Sequence, residues 1–466
     1  MVYQCDVCGY KHQGKLPDGY HCPLCLSEYN HLIPIEVEIK ELNRVEIWPD
    51  NLSIKRIEEK CINCSACKIT CEKMSNLLVT NDNNIDKRNL NDLCLECGSC
   101  ILTCPTSALT PKYDYQEVLE YIKDPNYTVI ALTSPATRVG IGDAFFKEPG
   151  SFLEGKMVAA LKELGFDYVF DLTFGADITS VEEAHELRER LESGRKPMFS
   201  SCCPSWVKYC EIVHPELIDK LSTCKSPVGM ASTVIKKLFA PNEYKSDKKL
   251  IIVAVTPCTS KKREIVNTDT DFVITTSELA LMIRENGVDF NKLKDASFDK
   301  VKGSFSGTTY GSGGGVTKSV IRCLYYEMTG KDLKDKDYSI EDKEYYKLIK
   351  VKINSRIVRC VIASTMSNME RLLSENVEFD FAEIMYCDGG CISGGGQVLM
   401  PIRDREMIKQ KRYESLNKKH GEIESYPYKN DLIEDLYNTY LDEIGSAEAH
   451  KYLHLKHQDL SYLIKE

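Results

Sequence analysis

Two runs of cysteine constrain this chain more than any other feature. Cys61, Cys64, Cys67 and Cys71 follow the spacing C-x2-C-x2-C-x3-C, and Cys94, Cys97, Cys100 and Cys104 repeat it, with Pro105 after the last. Such short, tight spacings suit metal chelation better than disulfide loops. Twelve of the 21 cysteines fall in the first 104 residues, so the front of the chain is expected to fold around metal thiolates in a reducing compartment.

The doubled run is a repeated ferredoxin pattern. In such folds a short loop wraps three corners of a 4Fe-4S cube, and the last cysteine of the other run supplies the fourth. Cys61, Cys64, Cys67 and Cys104 are therefore expected to hold one cluster, and Cys94, Cys97, Cys100 and Cys71 the other. Glu72 stands where the repeat would have proline, which touches the turn and not the ligation. Upstream, Cys5-x-x-Cys8 and Cys22-x-x-Cys25 are joined by 13 residues, and four thiolates can converge there on one tetrahedral metal. The pair CxxCGY and CPxC resembles the rubredoxin-like modules appended to rubrerythrins, which implies one electron-transferring iron. A structural zinc would use the same ligands.

From about residue 116 short apolar β-rich runs such as YTVIALT and KLIIVAVT alternate with helical periods, which argues an α/β domain. Three segments within it place cysteines on separate loops: PMFSSCCPSW at 197–206, VTPCTSKKREI at 255–265 and EIMYCDGGCISGGGQ at 383–397. In order and separation they resemble the three signature segments of the catalytic domain of FeFe (iron-only) hydrogenases, and the similarity runs over essentially 116–466. The resemblance implies a modular α+β protein: a rubredoxin-like knuckle over 1–45, a two-cluster ferredoxin domain over 46–115, and a large α/β catalytic domain over 116–466 closed by a C-terminal belt, SAEAHKYLHLKHQ.

It also implies site residues. Cys203, Cys258, Cys387 and Cys391 would hold a 4Fe-4S cube, with Cys391 bridging to a diiron subsite that carries carbonyl, cyanide and a dithiolate amine. Cys202 would pass protons to that amine. Glu183, Glu186 and Arg190 share one helix face by their spacing of three and four. With Ser222 they match a proton path running Arg190, Glu186, Ser222, Glu183, a water, Cys202. Lys261 matches a lysine that anchors one cyanide by a charge-assisted hydrogen bond, and Ser134 and Pro135, with Ala136, match the loop near the other. Tyr310 takes the place of an aromatic residue near the diiron site.

Other residues are read more plainly. Gly394, Gly395 and Gly396 are expected to let backbone approach the cluster. YGSGGGV at 310–316 lacks the order of a phosphate loop and is expected to pack. Thr256, Val228 and Val398 depart from the family's usual Met, Gln and Pro. Cys224 reads as a buried hydrophobe with a redox role as the alternative, while Cys210, Cys323 and Cys360 read as packing. His450 and His454, four apart, can bind a metal, although the belt reading is preferred.

A net charge of −10, from 60 basic and 70 acidic residues, argues against nucleic acid as partner. No run reaches the roughly 18 apolar residues of a membrane span, and MVYQCDVCGY lacks a leader pattern, so a soluble cytoplasmic protein is expected. Without a nicotinamide or flavin fingerprint, the expected electron carrier is ferredoxin or flavodoxin, and hydrogenase maturation proteins would build the diiron unit. Two rivals are a hydrogen sensor and a non-catalytic hydrogenase-like protein of cluster assembly.

Overall fold

A computed structural model describes residues 2–7, 11–13, 16, 21–22, 28–35, 44–75, 77, 90–195, 197–240, 248–418 and 426–464. At the N-terminus, β1 (Val2–Cys5), β2 (Lys11–Gln13) and β3 (Leu32–Ile35) form an antiparallel sheet with β1 in the centre. Cys5 and Cys22 are fully buried there, in a small core with Leu16 and Leu32. Ile62, from the first cysteine run, packs against that core. Cys8 and Cys25 lie outside the described residues.

Next, β4 (Ile54–Arg56) pairs antiparallel with β5 (Leu109–Pro111), and both cysteine runs lie between them in sequence. The repeat is visible in the backbone. Asn63 and Glu96 occupy matching left-handed positions, at φ 52° and 55°, and so do Ser65 and Gly98, at 65° and 73°. Each run thus wraps by the same turn before a helix, Ala66–Met74 in one and Ser99–Thr103 in the other. The helices end differently. With Glu72 after it, Cys71 stays inside its helix, whereas Cys104 is extended because the following proline disfavours helical φ/ψ.

The remainder contributes β6 (Tyr127–Thr133), β7 (Tyr168–Asp171), β8 (Met198–Phe199), β9 (Lys249–Thr256), β10 (Phe272–Thr275), β11 (Tyr338–Asp342), β12 (Lys347–Ile353), β13 (Arg356–Ser364) and β14 (Phe381–Met385). One sheet is wholly parallel in the order β10-β9-β6-β7. The other, β11-β12-β13-β14-β8, is antiparallel at its β11 end and parallel from β13 onward. Strand β9 is apolar on both faces, as a parallel strand covered on both sides must be, while the edge strand β11 is largely exposed.

The largest core lies between the two sheets. It joins Ile130, Leu132 and Ile252 of the first to Ile349, Val351 and Phe381 of the second through the helices Thr173–Ser193 and Gly315–Thr329. Outer helices cover the far faces. The cysteine-bearing loops leave the C-terminal ends of parallel strands in both sheets, where α/β proteins build their sites. No helix is long and apolar enough to cross a membrane among the described residues.

Candidate active site

Three strand ends deliver the four cysteines. After β8, Ser200 accepts from the indole of buried Trp206 at 3.1 Å, and Cys203 becomes the residue preceding the helix Pro204–Val213, with proline at its first position. After β9 the chain turns at Pro257-Cys258, pinned by a hydrogen bond from Thr256 Oγ1 to Cys258 O at 3.2 Å. After β14, Gly389 and Gly390 adopt φ of 77° and 91°, a reversal that places Cys391 close to Cys387. Burial raises the pKa of all four groups, and neighbouring thiols add to it for Cys258, Cys387 and Cys391. Cys258, beside Cys203, is pushed up to about 12. Cys387 rises under Cys258, Cys203 and Cys391, and Cys391 under Cys258 and Cys203. Four half-buried thiols, three of them raised in pKa by their neighbours, form a set that bound iron would stabilise as thiolates. The residues fit a cluster of the cubane kind.

The first half of the chain meets this site directly. Cys97 is close enough to raise the pKa of Cys387, and it hydrogen-bonds the phenol of Tyr386. The loop 94–98 is sewn to the catalytic unit: Lys208 Nζ donates to Cys94 O at 2.6 Å, Ser260 Oγ to Leu95 O at 2.8 Å, and Thr259 Oγ1 to Glu96 O at 2.6 Å. Between the runs, Cys64 feels Cys67 and Cys104, while Cys100 feels Cys97, Cys94, Cys71 and Cys67. The last cysteine of each run therefore neighbours the other run.

The glycine triplet is packed closely against its neighbours. A Cβ on Gly395 would stand 2.4 Å from Cys97 O and 2.6 Å from the Cα of Gly98, one on Gly394 would stand 2.3 Å from Pro257 O, and one on Gly396 2.6 Å from the Thr275 side chain. Gly395 closes the seam between the cysteine-run unit and the catalytic loops, while Gly394 and Gly396 pack the loop after Cys391 onto Pro257 and Thr275. The second stretch, 310–316, packs against the turn after Cys387, with Gly313 N donating to Gly389 O at 2.9 Å.

Behind Cys202 the titratable groups line up. On the helix Thr173–Ser193, Arg190 donates to Glu186 Oε1 from Nε at 3.1 Å and from Nη2 at 2.7 Å, and its other donors reach Asp219 O and Leu221 O. Glu186 Oε2 accepts from Ser222 Oγ and from Thr223 N, each at 3.0 Å. Ser222 lies near enough to Glu183 to lower its pKa in part, and Glu183 Oε1 accepts from Ser201 N at 3.4 Å. Burial, followed by the charge of Glu186, pushes the Glu183 carboxyl up to about 8. Burial, then Glu183, holds the Cys202 thiol well above its ordinary range. Tyr310 joins the group: its hydroxyl accepts from Ser180 Oγ at 3.0 Å, and Glu183 and Cys202 raise its pKa further after burial.

Lys261 is buried, donates to Cys202 O at 3.2 Å and is ion-paired to Glu264. Burial works against its charge, but Glu264 more than restores it, and the net pKa is raised. Ser134 and Pro135 follow β6, and Ser134 N donates to Val255 O at 2.9 Å, beside the Cys258 loop. Val228 is buried in the helix Pro227–Thr233, and Val398 packs on the outer core of the parallel sheet.

Two carboxylates escaped the sequence reading. Glu264 also accepts from Ser226, so it joins Lys261 to the start of the helix Pro227–Thr233. Glu383 is fully buried on β14 and accepts from Gly314 N at 2.7 Å, Thr317 N at 2.8 Å and Thr317 Oγ1 at 3.0 Å. Its signal was a charged residue inside the apolar run FAEIM.

The C-terminal segment wraps the outer end of this row of groups. Lys225 N donates to Leu453 O and Leu455 N to Thr223 O, both at 2.8 Å, and His457 Nε2 lies 2.8 Å from Ser222 O. The His450 and His454 rings pack at a tilt, with centroids 4.0 Å apart. Cys224 is buried, as are Cys210, Cys323 and Cys360.

Comparison with known proteins agrees with this geometry. The family described as iron only hydrogenase large subunit, C-terminal domain, matches residues 127–395. Iron hydrogenase 1 of Clostridium pasteurianum is 34% identical over 428 residues, covering 86% of this chain and 75% of that protein. Cytosolic iron-sulfur assembly component 3 of Bos taurus is 26% identical over 359 residues, 71% of this chain and 74% of its own. Among solved structures, an apo variant of the FeFe-hydrogenase HydA1 from Chlamydomonas reinhardtii superposes with a TM-score of 0.67 at 28% identity, over 74% of this chain and 98% of that one. With the family match spanning more than half its length and its signature thiols gathered at one site, this chain belongs to the FeFe hydrogenases, oxidoreductases of hydrogen metabolism.

Proposed function

We propose that the enzyme interconverts protons and electrons with dihydrogen at an H-cluster held by Cys203, Cys258, Cys387 and Cys391, with Cys391 shared with the diiron subsite. When bound, the cluster supplies a redox-active iron position where hydrogen is made or split. The observation that carries this reading is the buried thiol of Cys202 set beside those four, backed by Glu183, Ser222, Glu186 and Arg190. Its raised pKa keeps Sγ protonated, and so able to act as an acid, at neutral pH. The Glu183 carboxyl, at about 8, can gain or lose a proton at little cost there. Ser222 Oγ connects it to Glu186, and Arg190 fixes the Glu186 carboxylate at the outer end. Lys261 and the Ser134–Pro135 turn would hold the two cyanides.

Electrons would enter from ferredoxin or flavodoxin and pass through two 4Fe-4S clusters, one on Cys61, Cys64, Cys67 and Cys104 and one on Cys94, Cys97, Cys100 and Cys71. The nearness of Cys97 to Cys387 supports the second as the donor to the active site. Cys5, Cys8, Cys22 and Cys25 would carry one iron, with zinc as the alternative, and maturation proteins would install the diiron unit in a cytoplasmic setting. The assembly-factor relative keeps a second reading open, that of a cluster protein without a diiron site; Cys202, Lys261, Glu183 and Glu186 together favour turnover. Infrared spectra of anaerobically matured protein, with a reduced-dye hydrogen assay, test this. Carbonyl and cyanide bands with hydrogen release are expected. Bands without release would make it a sensor, and no bands after competent maturation an assembly-type protein.

A further inference from the structure

Beside the proton path, Cys224 and His454, which the hydrogenase reading leaves unused, meet one member of that path, Glu186. Glu186, Cys224 and His454 each present a ligand atom, and those atoms lie within 4.8 Å of one another. Backbone geometry sets the pair. Cys224 and His454 face each other across an antiparallel bridge, flanked by the bonds from Lys225 N to Leu453 O and from Leu455 N to Thr223 O. They occupy its non-hydrogen-bonded position, where opposing side chains approach most closely. Glu186 Oε2 lies 3.9 Å from Cys224 Sγ.

The surroundings are those of a ligand set. His454 Nε2 lies 3.1 Å from Glu182 Oε2, and Glu182 is itself held by Tyr437. That leaves Nδ1 facing Thr223 Oγ1 at 2.7 Å, and Thr223 Oγ1 is 3.4 Å from Glu186 Oε2. A histidine whose outer nitrogen donates to a carboxylate has the tautomer and orientation of a metal ligand. Charge points the same way: Glu182, Glu183 and Glu186 surround the buried thiol, and Arg190 is the cation paired with Glu186.

We infer that Glu186, Cys224 and His454 form an inhibitory site for a zinc-class divalent cation, with Glu182 orienting the histidine. One sulfur, one imidazole nitrogen and one carboxylate oxygen make a borderline donor set suited to zinc, with a fourth position for Thr223 Oγ1 or water. The metal would take the Glu186 oxygen that now accepts from Ser222, and so interrupt the relay. That consequence, unlike the binding itself, rests on the proton-path reading above.

The test uses holoenzyme with all its clusters, titrated with zinc under anaerobic conditions. Bound zinc is counted after gel filtration, cluster absorbance is followed as a check on integrity, and each protein's hydrogen evolution is compared with its own zinc-free rate. Wild type should bind one more equivalent than Cys224→Ala or His454→Gln, and both variants should need at least about tenfold more zinc for half-inhibition. One extra equivalent without loss of turnover would support the metal site and overturn the place of Glu186 in the relay. Equal zinc content in all three proteins, or inhibition at one concentration in all three, would overturn the site.

Discussion

Lys261 Nζ donates to the main-chain oxygen of Cys202 across 3.2 Å. The cation proposed to hold a cyanide therefore also fixes the backbone that carries the proposed relay thiol, and its charge is balanced by Glu264. Lys261→Met leaves Glu264 without its cation in a nearly dry site, a defect of about 1–3 kcal/mol. The single variant should unfold at lower temperature and lack carbonyl and cyanide bands. The double variant Lys261→Met/Glu264→Gln should recover the temperature but not the bands, which separates packing from diiron retention.

Cys202→Ala removes the proposed proton-carrying atom and none of the four proposed ligands. Infrared bands should persist while turnover falls by about a hundredfold or more, the range for loss of a positioned acid. Wild-type turnover in a fully loaded variant would refute the relay.

Glu183 links stability to pH. Its folded pKa of about 8 exceeds the unfolded value of about 4.3. Its contribution is therefore fully present below the unfolded value and is lost as pH climbs through 8. Glu183→Gln, uncharged throughout, should gain thermal stability relative to wild type between about pH 4.5 and 8 and hold a constant margin above. Melting curves across that window, at fixed cluster content, check the sign. Turnover should fall in the same variant.

Gly395→Ala tests the seam between the cysteine-run unit and the catalytic loops. Its Cβ would stand 2.4 Å from Cys97 O, so backbone must shift at a cost of about 1–3 kcal/mol. Hydrogen evolution supported by a large protein donor should fall more than that supported by a small dye reaching the catalytic cluster, if electrons pass through Cys97. Equal losses with both donors would place the defect in the catalytic loops.

The cysteine runs were legible in sequence because cluster binding is local: three ligands and their turn lie within seven residues, and Asn63 with Ser65, like Glu96 with Gly98, carries that turn in the backbone. The catalytic thiols were legible for a different reason, since loops at strand ends bear residues that packing does not dictate. Glu383 could be noticed in the sequence but not interpreted, because its three donors lie 66 to 69 residues away. The same holds for Lys261 with Cys202, for Gly395 against Cys97, and for His454, whose spacing suggested His450 as partner while the fold sets it opposite Cys224. Ligand type and local turn were thus determined by the sequence itself. Tertiary structure alone decided which distant groups meet, because contact across a sheet or a seam depends on how whole elements pack, and no short stretch of chain encodes it.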